Sequence, residues 1–219
     1  MTNIPKADDQ VDQWRSVMFL YDSALKKVNT KIEILNNEFA NRYDYNPIEH
    51  IKSRLKSAES IVMKLKKDGY EVTIENMMEC LSDIAGIRII CSFTSDIYQI
   101  AGMIAARGDV TVLHVKDYIK NPKPNGYKSY HMVVTVPVYL TDGPVETKVE
   151  IQIRSVAMDF WASLEHKIAY KFEGNAPENL LKELKACADM VDILDAKMFS
   201  LNEAITAFAR EQKERSEES

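Results

Sequence analysis

The sequence lacks paired cysteines, long apolar runs and glycine-rich phosphate-binding motifs. Its three cysteines, Cys80, Cys91 and Cys187, are far apart and form no C-x-x-C pair, so we expect free thiols rather than disulfides or a zinc site. No apolar run reaches the roughly 18–20 residues of a membrane span. The first ten residues, MTNIPKADDQ, lack the apolar core of a signal peptide. We therefore expect a cytoplasmic protein without a membrane partner.

The charge balance argues against one further class of function. The 219 residues carry a formal net charge of −5, whereas proteins that mainly coat nucleic acid are basic, because lysine and arginine supply their affinity for phosphates. We expect no stable nucleic-acid partner, although RNA stays an alternative ligand for the lysine-rich stretch described below. The length suits one sizeable domain or two small ones.

Both ends of the chain are predicted to be helical. Within 10–42, apolar residues recur every three or four positions, which predicts one long amphipathic helix. Its apolar stripe either covers the domain core or forms an interface between subunits. A second helix is predicted from the N-P-I-E segment at 46–49 to a glycine cap at Gly69. Two more helices are predicted at 155–172 and 177–212, separated by 173–175.

Strands are predicted in the middle of the chain. Alternating and β-branched residues mark GIRIICSF at 86–93, VTVLHV at 110–115, SYHMVVTVPVYL at 129–140 and VETKVEIQIR at 145–154. A T-D-G-P turn at 141–144 makes the last two a hairpin. Short helices are predicted around 74–81 and 97–105. Strands grouped between helices predict an α+β fold with a mixed sheet.

Two acidic residues stand where strands of this sheet bring side chains together. Asp83 comes just before GIRIICSF, and alternation puts Glu150 on the polar face of VEIQIR. Converging carboxylates among cations suit phosphoryl transfer with Mg²⁺, which takes a few carboxylate oxygens and completes its shell with water and substrate phosphates. An ordinary half-exposed strand is the alternative for Glu150. Arg88, the one charge in its apolar strand, should meet an anion, either a structural carboxylate or a bound phosphate.

Cationic side chains could hold a polyphosphate in this chain. Neither G-x-x-x-x-G-K-[ST] nor G-x-G-x-x-G occurs, so a bound nucleotide would be held by side chains. In the predicted second helix, Lys56, Ser60 and Lys64 recur every four residues, with Arg54 close by. Such a row suits a polyphosphate and equally suits a solvated lysine face.

The stretch KDYIKNPKPNGYKSYH at 116–131 combines lysines, prolines and aromatic residues. Its Tyr127 ring could stack on a base, and in extended backbone Tyr127, Ser129 and His131 would share one side. Core packing is the alternative for the tyrosine and the histidine. We expect this stretch to be mobile without a ligand, because its four lysines repel one another.

Together these segments resemble the Rel-type synthetases of guanosine tetraphosphate and pentaphosphate, in particular the stand-alone small alarmone synthetases. The matching segments are RLKSAESIVMKL, DIAGIRIICSF, VKDYIKNPKPNGYKSYH and VEIQIRSVAMDFWASLEHKIAYK. The resemblance implies one synthetase domain over 1–219 with a nucleotidyltransferase-like fold and a catalytic core at about 47–172. Helices at 10–42 and 177–212 would support the core or mediate assembly into a homotetramer. The implied reaction moves the β,γ-pyrophosphate of ATP to the ribose 3′-hydroxyl of GDP or GTP, giving AMP and ppGpp or pppGpp.

The resemblance also implies a role for each candidate residue. Asp83 and Glu150 would hold Mg²⁺, and Glu150 would be the base that activates the 3′-hydroxyl. The ATP-binding residues would be Arg54 and Arg88 beside the adenine and Lys56, Ser60 and Lys64 at the phosphates. GDP or GTP would be bound by Lys120, Lys123, Tyr127, Lys128, His131, Gln152 and Asp159, with Tyr127 stacked on the guanine.

One activity of the longer family members is not expected. Their hydrolase domain carries a His-Asp pair, and none of the four histidines of this sequence is followed by aspartate. The alternative to an active synthetase is a weak or inactive homologue that binds guanine nucleotides or RNA, and a third reading is an unrelated α+β interaction protein. Retention of both Asp83 and Glu150 favours the enzyme.

Overall fold

A computed structural model of the chain describes residues 7–171 and 177–217. Its helices are α1 (Ala7–Arg42), α2 (Ala58–Lys67), α3 (Ile74–Cys80), α4 (Thr94–Ala105), α5 (Val156–Lys171) and α6 (Glu178–Glu217). Its strands are β1 (Ile48–Leu55), β2 (Ala85–Cys91), β3 (Thr111–Asp117), β4 (Tyr130–Leu140) and β5 (Gly143–Ser155). The predicted break at 173–175 lies outside the described residues.

The five strands form one mixed sheet in the order β1-β2-β5-β4-β3. Strands β2 and β5 are parallel, and the other three pairs are antiparallel. This arrangement confirms the predicted α+β class and the predicted hairpin between β4 and β5. The parallel pair brings candidate residues of the two strands together, because it sets Gly86 of β2 beside Glu150 of β5 and Arg88 beside Gln152.

The apolar face of the sheet is the core of the domain. Alternate residues of β5 are fully buried there, as the predicted alternation requires, together with Ile87 and Ile89 of β2. Helices α1 and α4 pack over these two strands. The stripe on α1 joins the same core, with Tyr21, Val28 and Ile32 each at most 2% exposed. The α1 stripe therefore covers the core, and its most buried part is not available as a subunit interface.

The predicted second helix is wrong in its first half. Residues 48–55 form the edge strand β1, paired antiparallel with β2, and helix α2 begins only at Ala58. Asn46 does accept a hydrogen bond from the backbone N–H of Ile48 at 3.0 Å, but the turn leads into a strand. The true cap is Ser57, whose side chain accepts from the N–H of Ser60. Arg54 consequently lies on a strand and Lys56 in the turn before α2, so the predicted helical row keeps only Ser60 and Lys64 on the helix.

The other predicted elements are confirmed, with ends that differ by a few residues. Strand β3 extends to Asp117 and β4 begins at Tyr130, so the connecting loop is residues 118–129, which we call the acceptor loop. Over the described parts of the chain, no helix has the combined length and apolarity that crossing a membrane requires.

Candidate active site

The polar face of the sheet carries a small cavity over β1, β2 and β5. Cross-strand register aligns Arg54, Gly86 and Glu150 in one row, and Lys52, Arg88 and Gln152 in the next. The cavity measures about 180 Å³, and its lining residues are Lys52, Ser53, Arg54, Asp83, Gly86, Ile87, Arg88, Glu150 and Gln152. Both predicted catalytic carboxylates thus line the same cavity.

A larger groove of about 490 Å³ lies elsewhere, between α1, α2 and α3. Its lining includes Trp14, Val62 and Val72, and Glu75 is the one acidic residue among the lining residues that the structure describes. The smaller cavity concentrates the ionisable groups, so we place the active site there.

Asp83 is held by two lysines, Lys56 from the turn before α2 and Lys64 from the last turn of α2. Lys56 Nζ lies 2.5 Å from Oδ2, and Lys64 Nζ lies 2.9 Å from Oδ1. The Lys56 backbone N–H also donates to the carbonyl of Ile84, which ties this turn to the beginning of β2. Burial alone would raise the pKa of Asp83, but the hydrogen bond from Lys56 and the positive charges of both lysines outweigh it and lower the pKa. Asp83 is therefore ionised at neutral pH.

Glu150 is held by Gln152 of its own strand and by His131, which pairs with Gln152 from β4. His131 Nδ1 lies 3.4 Å from Oε1, and Gln152 Nε2 donates to Oε2 at 2.9 Å. Burial alone would raise the pKa of Glu150, and Asp83 adds to that, but His131 and Gln152 lower the pKa by more. Both carboxylates are thus ionised, and they are close enough for the charge of one to act on the other.

Two buried polar atoms at the cavity have no hydrogen-bond partner within the described residues. One is Asp83 Oδ1, whose contact with Lys64 is an ion pair without hydrogen-bond geometry, and the other is Arg88 Nε. Buried polar atoms are normally hydrogen-bonded, and each exception calls for a cause such as a ligand that binds there. Asp83 Oδ1 already has the Lys64 ammonium 2.9 Å away, so Arg88 Nε is the donor left for an anionic or polar group of a ligand.

The two carboxylates of the cavity fit Mg²⁺ better than a metal ion whose ligands all come from the protein. No group of three or more histidine, cysteine, aspartate or glutamate side chains with metal-binding geometry occurs in residues 7–171 or 177–217. Two ionised carboxylates, Asp83 and Glu150, do share the cavity. Mg²⁺ typically takes one or two carboxylates and fills its remaining positions with water and substrate phosphates.

Arg88 meets a structural carboxylate, which was one of its two predicted partners. Its Nη1 lies 3.4 Å from Asp159 Oδ1, and the same oxygen accepts from Arg154 Nη1 at 3.1 Å. Burial and the charge of Arg154 lower the pKa of Arg88, which Asp159 partly offsets. Asp159 of α5 therefore joins two arginines, whereas the sequence predicted it only beside the acceptor nucleotide.

Arg154 is the site residue that sequence reasoning missed. Its side chain is 5% exposed, and its hydrogen bonds end on Tyr127, Ser129, Gln152 and Asp159. The available signal was the alternation of β5, which puts Arg154 on the same face as Glu150 and Gln152.

The acceptor loop places Tyr127 at the centre of an aromatic and cationic cluster. Its hydroxyl lies 2.9 Å from His131 Nε2, and Lys123 Nζ lies 4.8 Å from its ring centroid. Lys123 Nζ is also 5.0 Å from the ring of Tyr118. A base that stacked on the Tyr127 face covered by Lys123 would first have to displace this ammonium group.

The other two predicted lysines of the loop have protein partners. Lys128 pairs with Asp192 of α6, and Lys120 lies 4.0 Å from Asp117 and over the ring of Tyr98. Gly126 packs against Ala188 of α6. The loop thus makes several contacts without a ligand, and its mobility stays a prediction.

Two predicted ATP-binding residues have no direct contact with the carboxylates. Arg54 lies on the cavity wall with an exposed side chain. Ser60 Oγ lies 3.0 Å from Ser57 Oγ at the start of α2. Lys56 and Lys64 are the members of this predicted set that the fold brings directly onto Asp83.

The family whose profile is described as the region found in RelA and SpoT proteins matches residues 53–175. This span contains Asp83, Glu150 and the acceptor loop. The chain belongs to the RelA/SpoT family. Its resemblance to a named relative extends beyond that region. The GTP pyrophosphokinase YwaC of Bacillus subtilis is 45% identical over 205 residues, which cover 94% of this chain and 98% of YwaC.

Solved structures of the RelA/SpoT family share the fold of this member. The small alarmone synthetase 2 from Bacillus subtilis has a TM-score of 0.79 at 46% identity, over 88% of this chain and 99% of that one. The small alarmone synthetase 1 from the same organism, bound to its product pppGpp, has a TM-score of 0.81 at 34% identity, over 88% and 98%. The structural similarity covers most of the chain and is not confined to the length of the family match at residues 53–175.

Proposed function

We propose that this chain is a GTP pyrophosphokinase that transfers the β,γ-pyrophosphate of ATP to the ribose 3′-hydroxyl of GDP or GTP. The products are AMP and ppGpp or pppGpp. The observation that carries the proposal is the cavity in which Asp83 and Glu150, both ionised, lie among Lys56, Lys64 and Arg88. The family membership and the relatives named above support the same reaction.

Glu150 is the base in this proposal. It is ionised, and its two oxygens are oriented by His131 and Gln152, so it can accept the proton of the 3′-hydroxyl. Arg54 and Arg88 bind the adenine side of ATP, and Lys56, Ser60 and Lys64 bind its phosphates. Tyr127 stacks on the guanine after Lys123 moves from its ring toward the acceptor phosphates. His131, Gln152, Asp159 and the remaining loop lysines, Lys120 and Lys128, line the acceptor side.

Asp83 and Glu150 would also hold Mg²⁺. When bound, the ion neutralises negative charge on the transferred group. In the metal-free chain Lys56 and Lys64 supply positive charge to Asp83. These lysines can then turn to the phosphates, because three-donor ammonium groups on flexible stems change partners readily.

The test is product formation by a matched pair of variants on β5. Glu150→Gln keeps the shape of the side chain and removes the base, so we expect kcat to fall about 10²- to 10⁴-fold. Glu146→Gln changes an exposed glutamate on the same face of the same strand and should keep kcat. The pure protein is incubated with ATP, Mg²⁺ and GDP or GTP, and AMP and the 3′-pyrophosphorylated nucleotide are measured. Lack of product with wild type would refute the proposal and favour a nucleotide-binding homologue, whereas full activity in Glu150→Gln would refute the role of Glu150 as the base.

We further propose a cytoplasmic homotetramer. The long helix α6 carries large apolar residues at 190, 194, 198, 201, 205 and 208 that are between 49% and 67% exposed. Their spacing of three and four residues puts them on one helical face. A second copy of this chain presents the same face, which supports assembly through α6 rather than through the stripe of α1.

A further inference from the structure

Arg154 is a buried arginine at the centre of the polar side chains of the site. It lies on β5, four residues after Glu150, and all three guanidinium nitrogens donate hydrogen bonds. The acceptors are Ser129 Oγ at 3.3 Å, Asp159 Oδ1 at 3.1 Å, Tyr127 Oη at 2.6 Å and Gln152 Oε1 at 3.2 Å. A buried arginine is costly unless it is paired and hydrogen-bonded, and here four acceptors satisfy it.

The bond from Arg154 fixes the direction of the hydrogen bonds beyond Tyr127. Guanidinium groups only donate, so the Tyr127 hydroxyl accepts from Arg154 and keeps its own proton to donate. The neighbouring acceptor is His131 Nε2 at 2.9 Å. In a neutral imidazole whose Nε2 accepts, Nδ1 carries the hydrogen, and His131 Nδ1 faces Glu150 Oε1 at 3.4 Å.

The same guanidinium also reaches the side of the site assigned to ATP. Asp159 Oδ1 accepts from Arg154 and lies 3.4 Å from Arg88 Nη1. Arg154 therefore contacts Tyr127 on one side and, through Asp159, orients Arg88 on the other. Within the described residues, Arg154 is the side chain that hydrogen-bonds both Tyr127 and Asp159 directly.

We propose that Arg154 is a positioning residue that holds Tyr127 and, through Tyr127 and His131, orients Glu150. The proposal rests on the proposed function, in which the Tyr127 ring binds the guanine and Glu150 is the base. The ring and the hydroxyl of Tyr127 then have separate tasks. The ring binds the acceptor, and the hydroxyl connects the acceptor site to the catalytic carboxylate.

A double-mutant cycle tests this link. Tyr127→Phe keeps the ring and removes the hydroxyl, so we expect kcat to fall about tenfold with less than about a threefold change in the KM for GDP or GTP. Arg154→Lys keeps the charge and loses the forked donor, with a similar expected fall in kcat. Because both changes break the same link, the double variant should lose about as much kcat as the worse single variant.

Lys148→Met is the control for breaking a different set of hydrogen bonds on the same face of this strand. Lys148 lies on the same face of β5 and donates to the backbone carbonyls of Met78 and Glu79, away from Tyr127. The Lys148→Met variant should have a lower Tm than the wild type. In the double variant with Tyr127→Phe, the fold-changes in kcat of the two single variants should multiply.

A second readout needs no turnover, so it separates this proposal from the proposed reaction. ¹⁵N NMR of the wild type at pH about 8.5, where an ordinary imidazole is neutral, should show His131 protonated at Nδ1 and not at Nε2. Arg154→Lys and Tyr127→Phe should each give a mixture of the two tautomers, with the signal assigned by a His131→Gln variant. Independent losses of kcat in the cycle, or an unchanged tautomer in both variants, would overturn the role of Arg154. Absence of product in the wild type would instead refute the proposed function.

Discussion

At the scale of single residues, Gly86 leaves the space in which a ligand can approach the sheet. It lies between Arg54 and Glu150 in a cross-strand row, where any other residue would put a side chain over the cavity. An added Cβ would meet only the Arg54 carbonyl oxygen, at 3.9 Å. We expect Gly86→Ala to change the free energy of unfolding by less than about 1 kcal/mol and to raise the KM for ATP about tenfold or more, because the methyl group occupies ligand space.

Gly102→Ala is the control for the glycine substitution itself. Gly102 lies in α4, with nothing within 4 Å of the added Cβ, so alanine should stabilise the helix by about 1 kcal/mol without changing either KM. Chemical denaturation and steady-state kinetics give both quantities. Equal KM values for ATP in wild type and Gly86→Ala would show that no substrate approaches this glycine.

At the scale of elements, helix α6 supports the acceptor loop. Gly126 has a φ of +88°, and a Cβ there would lie 2.5 Å from Ala188 Cβ of α6. We expect Gly126→Ala to cost about 1–2 kcal/mol in backbone strain and about 1–3 kcal/mol more in steric overlap. Because the overlap pushes the loop off α6, the KM for GDP or GTP should rise while the KM for ATP stays near the wild-type value.

Two variants separate the overlap from the strain. Gly69→Ala, where φ is +81° and nothing lies within 4 Å of the added Cβ, should show the strain alone and leave both KM values unchanged. Adding Ala188→Gly to Gly126→Ala removes the clashing atom and should restore the KM for the acceptor. If Gly126→Ala and Gly69→Ala lose equal stability and neither affects the KM, the loop does not depend on α6.

The elements also show where sequence patterns succeed and where they fail. Strands β4 and β5 were predictable because their alternation reflects burial on one face of the sheet, and β2 was predictable because it is rich in β-branched residues. Strand β1 was predicted as helix because Ile48, Ile51 and Leu55 have helical spacing and N-P-I-E resembles a helix start. Its state is decided by pairing with β2, a contact distant in sequence that overrides local preference. The cluster around Arg154 was hidden for the same reason, since α5 and the acceptor loop converge on it only in the folded chain.

At the scale of the whole molecule, α6 has more apolar surface than one chain covers. Met190, Ile205 and Phe208 of the α6 stripe are 61%, 67% and 63% exposed, whereas isolated soluble domains rarely expose so long an apolar stripe. The α1 stripe is mostly buried in the chain's own core, so α6 is the surface that a second copy would cover. We expect light scattering after size exclusion to give about four times the chain mass of 25.0 kDa.

Negative charge introduced into the stripe should dissociate this assembly, because a desolvated carboxylate at an apolar interface has no partner. Ile205→Glu together with Phe208→Glu should reduce the measured mass to that of a dimer or monomer. Phe19→Glu is the control, since Phe19 of α1 is 59% exposed but lies outside the stripe, and its mass should equal that of the wild type. Dissociation by Phe19→Glu would place the interface elsewhere. A wild-type mass equal to that of a single chain would show that there is no such assembly. Because the acceptor loop packs on α6 near Ala188, well before this part of the stripe, the dissociated variant should keep the KM for GDP or GTP even as its mass falls.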